Sequence, residues 1–138
     1  MTLVFASSGE SRVLELLLNK QAQENLIMGL YSNSFLPAKS TVIGDLTETT
    51  GGGYARLTLP NPTSWTVVAS NGNGLAEAVY DTRSIIFTAS IGAVHGYFMV
   101  GTTTGRYMYA EKFSDGPYLI VRSGDQINIT PRIIVNSI

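Results

Sequence analysis

The sequence contains no cysteine. Disulfides, thiolate metal sites and cysteine nucleophiles are all excluded, and the redox compartment is left open. Histidine is nearly absent too: His95 is the single one. Zinc and iron sites draw on several His, Cys or carboxylate ligands, so a conventional metal centre is not expected. A serine triad would have to take His95 as its base, and no Gly-x-Ser-x-Gly stands at a strand-turn-helix. Charge is also scarce: 14% of residues are charged and the net charge is −1. Phosphate binding needs clustered Lys and Arg, so nucleic acid is not an expected partner. No apolar run reaches the roughly 18 residues of a membrane helix, and residues 1–6 carry no basic, signal-like start. The expectation is a protein made in a cytoplasm and soluble until it assembles, with no membrane partner.

What the chain does have is the size of one domain, 138 residues, and 44% hydrophobic residues, enough for a core without staples. A weakly charged surface tolerates close contact with other protein. One helix is expected, over residues 8–19. Ser7-Ser8-Gly9-Glu10 has capping-box spacing, and Val13, Leu14, Leu16, Leu17 and Leu18 follow as an apolar stripe. A helix this short is marginal alone, so its Leu face must lie on a sheet or on a neighbouring subunit.

The remaining signals are strands separated by turn residues: 25–31, 54–59, 65–70, 76–80, 84–89, 93–100, 106–113, 118–121 and 126–135. Pro131 falls inside the last run, where it marks an edge, a bulge or a division into two strands. Residues 32–53 form a long irregular stretch with a short extended piece at Thr41-Val42-Ile43; such loops are commonly functional or poorly ordered. Short strands with a turn signal about every eight to twelve residues predict an all-β, antiparallel, jelly-roll-like sandwich with one short N-terminal helix. The reading is one domain over residues 1–138, with 1–24 as N-terminal arm and helix. The alternating residues Leu57, Leu59, Trp65, Val67, Phe87, Tyr97, Met99, Ile127 and Ile129 are the expected core.

No residue stands out as catalytic, cofactor-binding or metal-binding. Glu48, Glu77, Glu111, Asp115 and Asp125 could pair in space as glycosidase carboxylates do, although such residues commonly solvate turns and strand edges. Gly51-Gly52-Gly53 lacks the Lys and Ser/Thr of a P-loop; it suits a loop entering a strand closely past an aromatic residue. Tyr54, Trp65, Tyr80, Tyr97, Tyr107, Tyr109 and Tyr118 are spread over many strands and are expected mostly in core or interface.

Several of these segments, in this order, carry a resemblance: an N-terminal helix, Leu30-Tyr31-Ser32-Asn33, a Thr-rich approach to Gly-Gly-Gly-Tyr-Ala-Arg at 51–56, a Trp strand, Val94-His95-Gly96-Tyr97-Phe98, the run from Ala110 to Tyr118, and Ile127-Asn128-Ile129-Thr130-Pro131. Together they span nearly the whole chain, which resembles small β-sandwich virion structural proteins of tailed bacteriophages. The resemblance implies a non-enzymatic particle component with no catalytic residues and no cofactor. Its leading form is a capsid decoration, or cement, protein on the capsid surface of the virion. Such a protein is expected to be a homotrimer and to bind across junctions of the major capsid protein. The alternative is a tail or fibre component, with a receptor- or glycan-binding site lined by Trp65 or several Tyr beside carboxylates. The helix and the loop 32–53 are the candidate contact segments; the helix could equally just cover one end of the sandwich.

Overall fold

A computed structural model describes residues 3–60 and 62–135. In chain order its strands are β1 (Leu3–Phe5), β2 (Leu26–Tyr31), β3 (Leu57–Leu59), β4 (Trp65–Val68), β5 (Ala76–Tyr80), β6 (Arg83–Ile86), β7 (Gly92–Val94), β8 (Gly96–Gly101), β9 (Tyr107–Lys112), β10 (Tyr118–Ile120), β11 (Gln126–Ile129) and β12 (Arg132–Val135), with helix α1 (Ser7–Leu17) between β1 and β2. Every pairing is antiparallel. The predicted all-β class with one short helix is therefore what the chain adopts.

The second half of the chain is one long hairpin bent twice. β8 pairs with β9, β7 with β10, β6 with β11 and β5 with β12. The register holds to within one residue from Ala76 facing Val135 to Gly92 facing Ile120. Both strands of this ribbon pass from one sheet to the next at the same places, the device by which strands turn the corners of a sandwich. At the first corner the hydroxyls of Thr82 and Thr130 meet at 2.6 Å, and the carbonyl of buried Pro131 accepts from the Tyr80 amide at 2.8 Å. Pro131 therefore divides the expected strand 126–135 in two, because it has no amide to continue the ladder. At the second corner His95 separates β7 from β8. The expected run 93–100 is thus two strands in two sheets, and His95 lies at the break rather than mid-strand. Opposite His95, residues 113–117 form a wider turn, and His95 is held by backbone bonds to Tyr31 and Phe113.

A five-stranded sheet, ordered β1-β9-β8-β2-β3, forms the central layer. Its inner side packs Met28, Leu30, Leu59, Tyr97, Met99 and Tyr109 against Tyr80, Ile85, Phe87, Ile127 and Ile129 of the bent ribbon. Of the expected core residues, Leu59, Phe87, Tyr97, Met99, Ile127 and Ile129 are buried, and Leu57 and Trp65 are half-buried against them. Val67 is not: it is 74% exposed. It lies on edge strand β4 and lines an open groove between the layers, so alternation places it on the inner side where nothing covers it. The sheet's outer side carries Tyr31, Phe98, Val100, Tyr107 and Ala110 under Ala6, Leu46 and Phe35. Strand β8 is consequently buried on both sides along its whole length.

The outer cover consists of α1 and the loop 32–53. The loop is ordered: Ser32 and Thr47, Leu30 and Thr49, and Asn33 with Asp45 and Thr47 are joined by hydrogen bonds of 2.8–3.0 Å. Ile43–Asp45 forms a short 3-10 turn in place of the expected extended piece. Gly51, Gly52 and Gly53 all have positive φ, and a Cβ on Gly52 would meet the Ile91 side chain at 2.6 Å. The close approach is to Ile91 and Ala89, not to an aromatic ring.

Helix α1 departs most from expectation. It starts after Ala6 with no side-chain cap, so the Ser7–Glu10 capping box does not form. Ser8 Oγ donates instead to the Tyr107 carbonyl at 2.7 Å, and Glu10 pairs with Lys39. Gly9 and Arg12 are the buried helix residues, while Val13, Leu14, Leu17 and Leu18 are 46, 58, 78 and 62% exposed. The Leu face does not lie on the sheet. Gly9 explains part of the inversion, because its backbone sits directly on β9: a Cβ there would collide with the Met108 carbonyl oxygen. Gly→Ala in a helix ordinarily stabilises by up to about 1 kcal/mol. Here Gly9→Ala is expected to destabilise by roughly 1–3 kcal/mol through overpacking, read as a lower midpoint in chemical denaturation; a raised midpoint would refute this docking of the helix.

Candidate functional surfaces

Two arrangements stand out once the fold is assembled. The first is the outer layer. Helix positions three and four apart are neighbours, so the pairs Val13–Leu17, Leu14–Leu17 and Leu14–Leu18 join these four exposed residues into one apolar stripe. The loop beside it exposes Leu36, Val42 and Ile43. Helix and loop are tied together where the Ser7 amide donates to the Lys39 carbonyl at 3.0 Å. The charges of this layer are largely paired: Glu10 with Lys39, Arg12 with Glu24, Glu15 with Arg106, and Glu48 with Arg56. The sequence's two candidate contact segments thus share one side of the molecule, and its apolar residues stand among neutralised charges.

What holds the stripe outward is the polar side of the helix. Arg12, 2% exposed, donates to the Ala22 carbonyl at 2.7 Å and to Glu24 Oε2 at 2.8 Å. Glu24 Oε1 accepts from the Thr103 and Thr104 amides and from Thr104 Oγ1. One carboxylate therefore joins the helix, the strand that follows it and the β8–β9 turn.

The second arrangement lies between the two corners of the ribbon. Glu111 on β9 is 3% exposed, and its Oε2 has no hydrogen-bond partner among the described residues. Arg132 of β12 approaches it to 3.6 Å. Burial pushes the Glu111 carboxyl above its usual range, and the Arg132 guanidinium and the Tyr97 hydroxyl only partly offset this. Beside the pair is a cavity of about 220 Å³ walled by Tyr97, Phe113 and Tyr118. The rings of Phe113 and Tyr118 pack at 4.7 Å, and the Tyr118 hydroxyl donates to Asp115 at 2.6 Å.

The other candidate groups fall into structural roles. Glu48 makes two bonds to Arg56, at 2.7 and 2.8 Å, which lower its carboxyl, and it accepts from the Tyr54 hydroxyl. Glu77 accepts from Asn71, and Asp125 closes a turn by accepting from the Val121 and Arg122 amides. No group of three or more His, Cys, Asp or Glu residues able to hold a metal ion occurs among the described residues, and no described helix is long and apolar enough to cross a membrane. Tyr80, Tyr97, Tyr107 and Tyr109 are buried, as expected of core aromatics. Trp65 lines a larger groove of about 620 Å³ with Leu26, Val67 and Ile133. The carboxylate there is Glu24, whose oxygens are already engaged.

Sequence reading included Glu111 among several carboxylates without separating it from the rest, and it did not single out Arg132. The signal was present: Tyr109, Glu111 and Phe113 are in phase on one strand, so alternation puts a carboxylate on an aromatic inner side. Comparison with known proteins returns no matching family model, no matching curated protein and no matching solved structure.

Because folded Glu111 holds its proton more tightly than the unfolded chain does, its ionisation opposes folding. The cost grows as pH rises from the ordinary value of 4.5 through the raised folded value, and it is complete above that value. Glu111→Gln removes this titration. The stability of the Gln variant relative to the native protein should therefore improve from pH 4 to pH 7 in denaturation midpoints; a relative decline would show that Arg132 outweighs burial.

Proposed function

We propose that the protein is a structural component of a bacteriophage particle, a decoration protein that docks on the capsid surface across junctions between major capsid protein subunits. The observation that supports this best is the outward Leu stripe. A soluble domain whose one helix turns Val13, Leu14, Leu17 and Leu18 to solvent, beside a loop that exposes three more large apolar residues, has built a surface for another protein. Each Leu enclosed there would contribute about 1.5–3 kcal/mol. The paired charges around the stripe reduce the desolvation cost of docking.

A sandwich whose outer layer exposes apolar residues suits a cement role. Many copies, each bound weakly, raise the force a pressurised shell withstands. We propose a homotrimer at local three-fold positions, since closed symmetry lets one assembly hold several neighbours. The reading involves no enzyme chemistry, cofactor or nucleic acid.

The test replaces Leu14, Leu17 and Leu18 together by Gln, a good helix former. These side chains are exposed, so stability should change by no more than about 0.5 kcal/mol per site, while affinity for purified shells falls by at least about tenfold. Particles lacking the protein should assemble but release DNA at a lower temperature. If such particles keep their physical stability and fail only to adsorb to cells, the protein belongs to the tail or fibre instead.

A further inference from the structure

The sequence carries no charged residue from Leu57 to Ala76. That stretch includes β4, an edge strand of the three-stranded sheet. Residues 66–70 are all exposed, with Val67 at 74% and Val68 at 41%. Alternation points Val67 and Val68 to opposite sides, so β4 is open on both. Its edge is open as well. Beyond its ladder with β5, no backbone hydrogen bond reaches residues 65–70 among the described residues. Such an edge offers a row of amides and carbonyls that another strand can pair.

Two other edges are shielded. β3, whose Leu59 lines the same groove as Val67, has three residues, and the Arg83 guanidinium donates to its Thr58 carbonyl at 3.3 Å. At the opposite edge of the three-stranded sheet, β12 opens on Arg132, which pairs with Glu111. Soluble proteins blunt free edges with charge, proline or short strands. β4 has four residues, three of them β-branched, and neither charge nor proline. The lack of charge also selects the partner. A charged strand would lose its water here without finding a counter-charge, whereas a second copy of β4 brings the same neutral residues. A two-fold contact needs only one such surface, used twice.

We propose that the chain joins a second copy of itself by antiparallel pairing of β4 with β4, so that two three-stranded sheets become one continuous sheet. Residues directly opposite in antiparallel strands share a side, so a two-fold axis normal to the sheet sets groove side against groove side. Ile133, Ala78 and Val67 are register partners across β12, β5 and β4, and the pairing extends this apolar row into the second copy. The contact uses none of the stripe residues and does not rest on the docking reading. It closes on two copies, so on a shell it would link one proposed homotrimer to the next.

A contact built on one short strand is small and therefore weak, with an expected dissociation constant on the order of 0.1 mM. The experiment measures amide hydrogen exchange in the full-length protein at about 20 μM and about 1 mM. The β4 amides that face away from β5 should exchange at least about threefold more slowly at the higher concentration. Val67→Lys should remove this slowing; Thr66→Lys takes its place if thermal melts show that the first variant fails to fold. Replacing Leu14, Leu17 and Leu18 by Gln should leave the slowing intact. Because the chain has no cysteine, a single introduced one gives a second readout. A short bis-maleimide should join Val67→Cys chains at least about tenfold faster than Leu119→Cys chains, whose site is also exposed. Exchange that does not depend on concentration overturns the proposal. So does slowing that survives Val67→Lys but is lost with the Gln variant, or equal cross-linking at positions 67 and 119.

Discussion

The ion pair between Arg12 and Glu24, with side chains only 3% and 6% exposed, organises the N-terminal half of the molecule. Two charges withdrawn from water gain little net stability, because desolvation offsets their attraction. Breaking such a pair is another matter: the charge left behind costs about 3–5 kcal/mol. The pair therefore acts as a selector of arrangement. With Arg12 turned inward to Glu24 and to the Ala22 carbonyl, the helix has one rotation open to it, and that rotation sends Leu14, Leu17 and Leu18 outward. Gly9 and Gly101 make the arrangement sterically possible. Gly9 lets the helix rest on the β9 backbone, and a Cβ on Gly101 would collide with the Glu24 carboxylate.

An apolar helix stripe left in water lowers the solubility of the isolated chain and gives nothing back to its own core. A simpler sequence would exchange the two faces, placing leucines on the sheet and arginine in solvent. The burial of Arg12 at the expense of the leucines is intelligible if the outer face has a second task. The loop 32–53 supports that reading, since it is pinned by many backbone bonds yet still exposes Leu36, Val42 and Ile43.

How far the sequence could be read follows from which interactions are local. Strand alternation made the sandwich and most of its core legible, and Pro131 announced its corner because a missing amide is a property of one residue. His95 gave no such sign, since the run from Ala93 to Val100 is largely apolar on both sides of the break and only the pairing partners reveal it. The helix was found by its periodicity, and the same periodicity pointed its face the wrong way. That rule assumes the apolar side faces the core, while the deciding contacts, Arg12 with Glu24 and Gly9 with Met108, join positions no local pattern connects. β1 is too short to register. Val67 misled because alternation reports a side of a strand and not whether anything covers it.

The ribbon shows the same logic from within the sandwich. A bent ribbon must change sheets, and at each corner its ladder is interrupted. At the Thr82–Thr130 corner the interruption is closed by a hydroxyl pair and by the Pro131 carbonyl. At the His95 corner the return strand spends residues 113–117 on a wider turn, which begins with buried Phe113 and ends where Tyr118 pairs with Val94. Glu111 immediately before that turn is in phase with the core, and Arg132 reaches it from the other layer without completing a bond. Glu111 is held there against burial that disfavours its charge, with the Arg132 guanidinium and the Tyr97 hydroxyl as partial compensation.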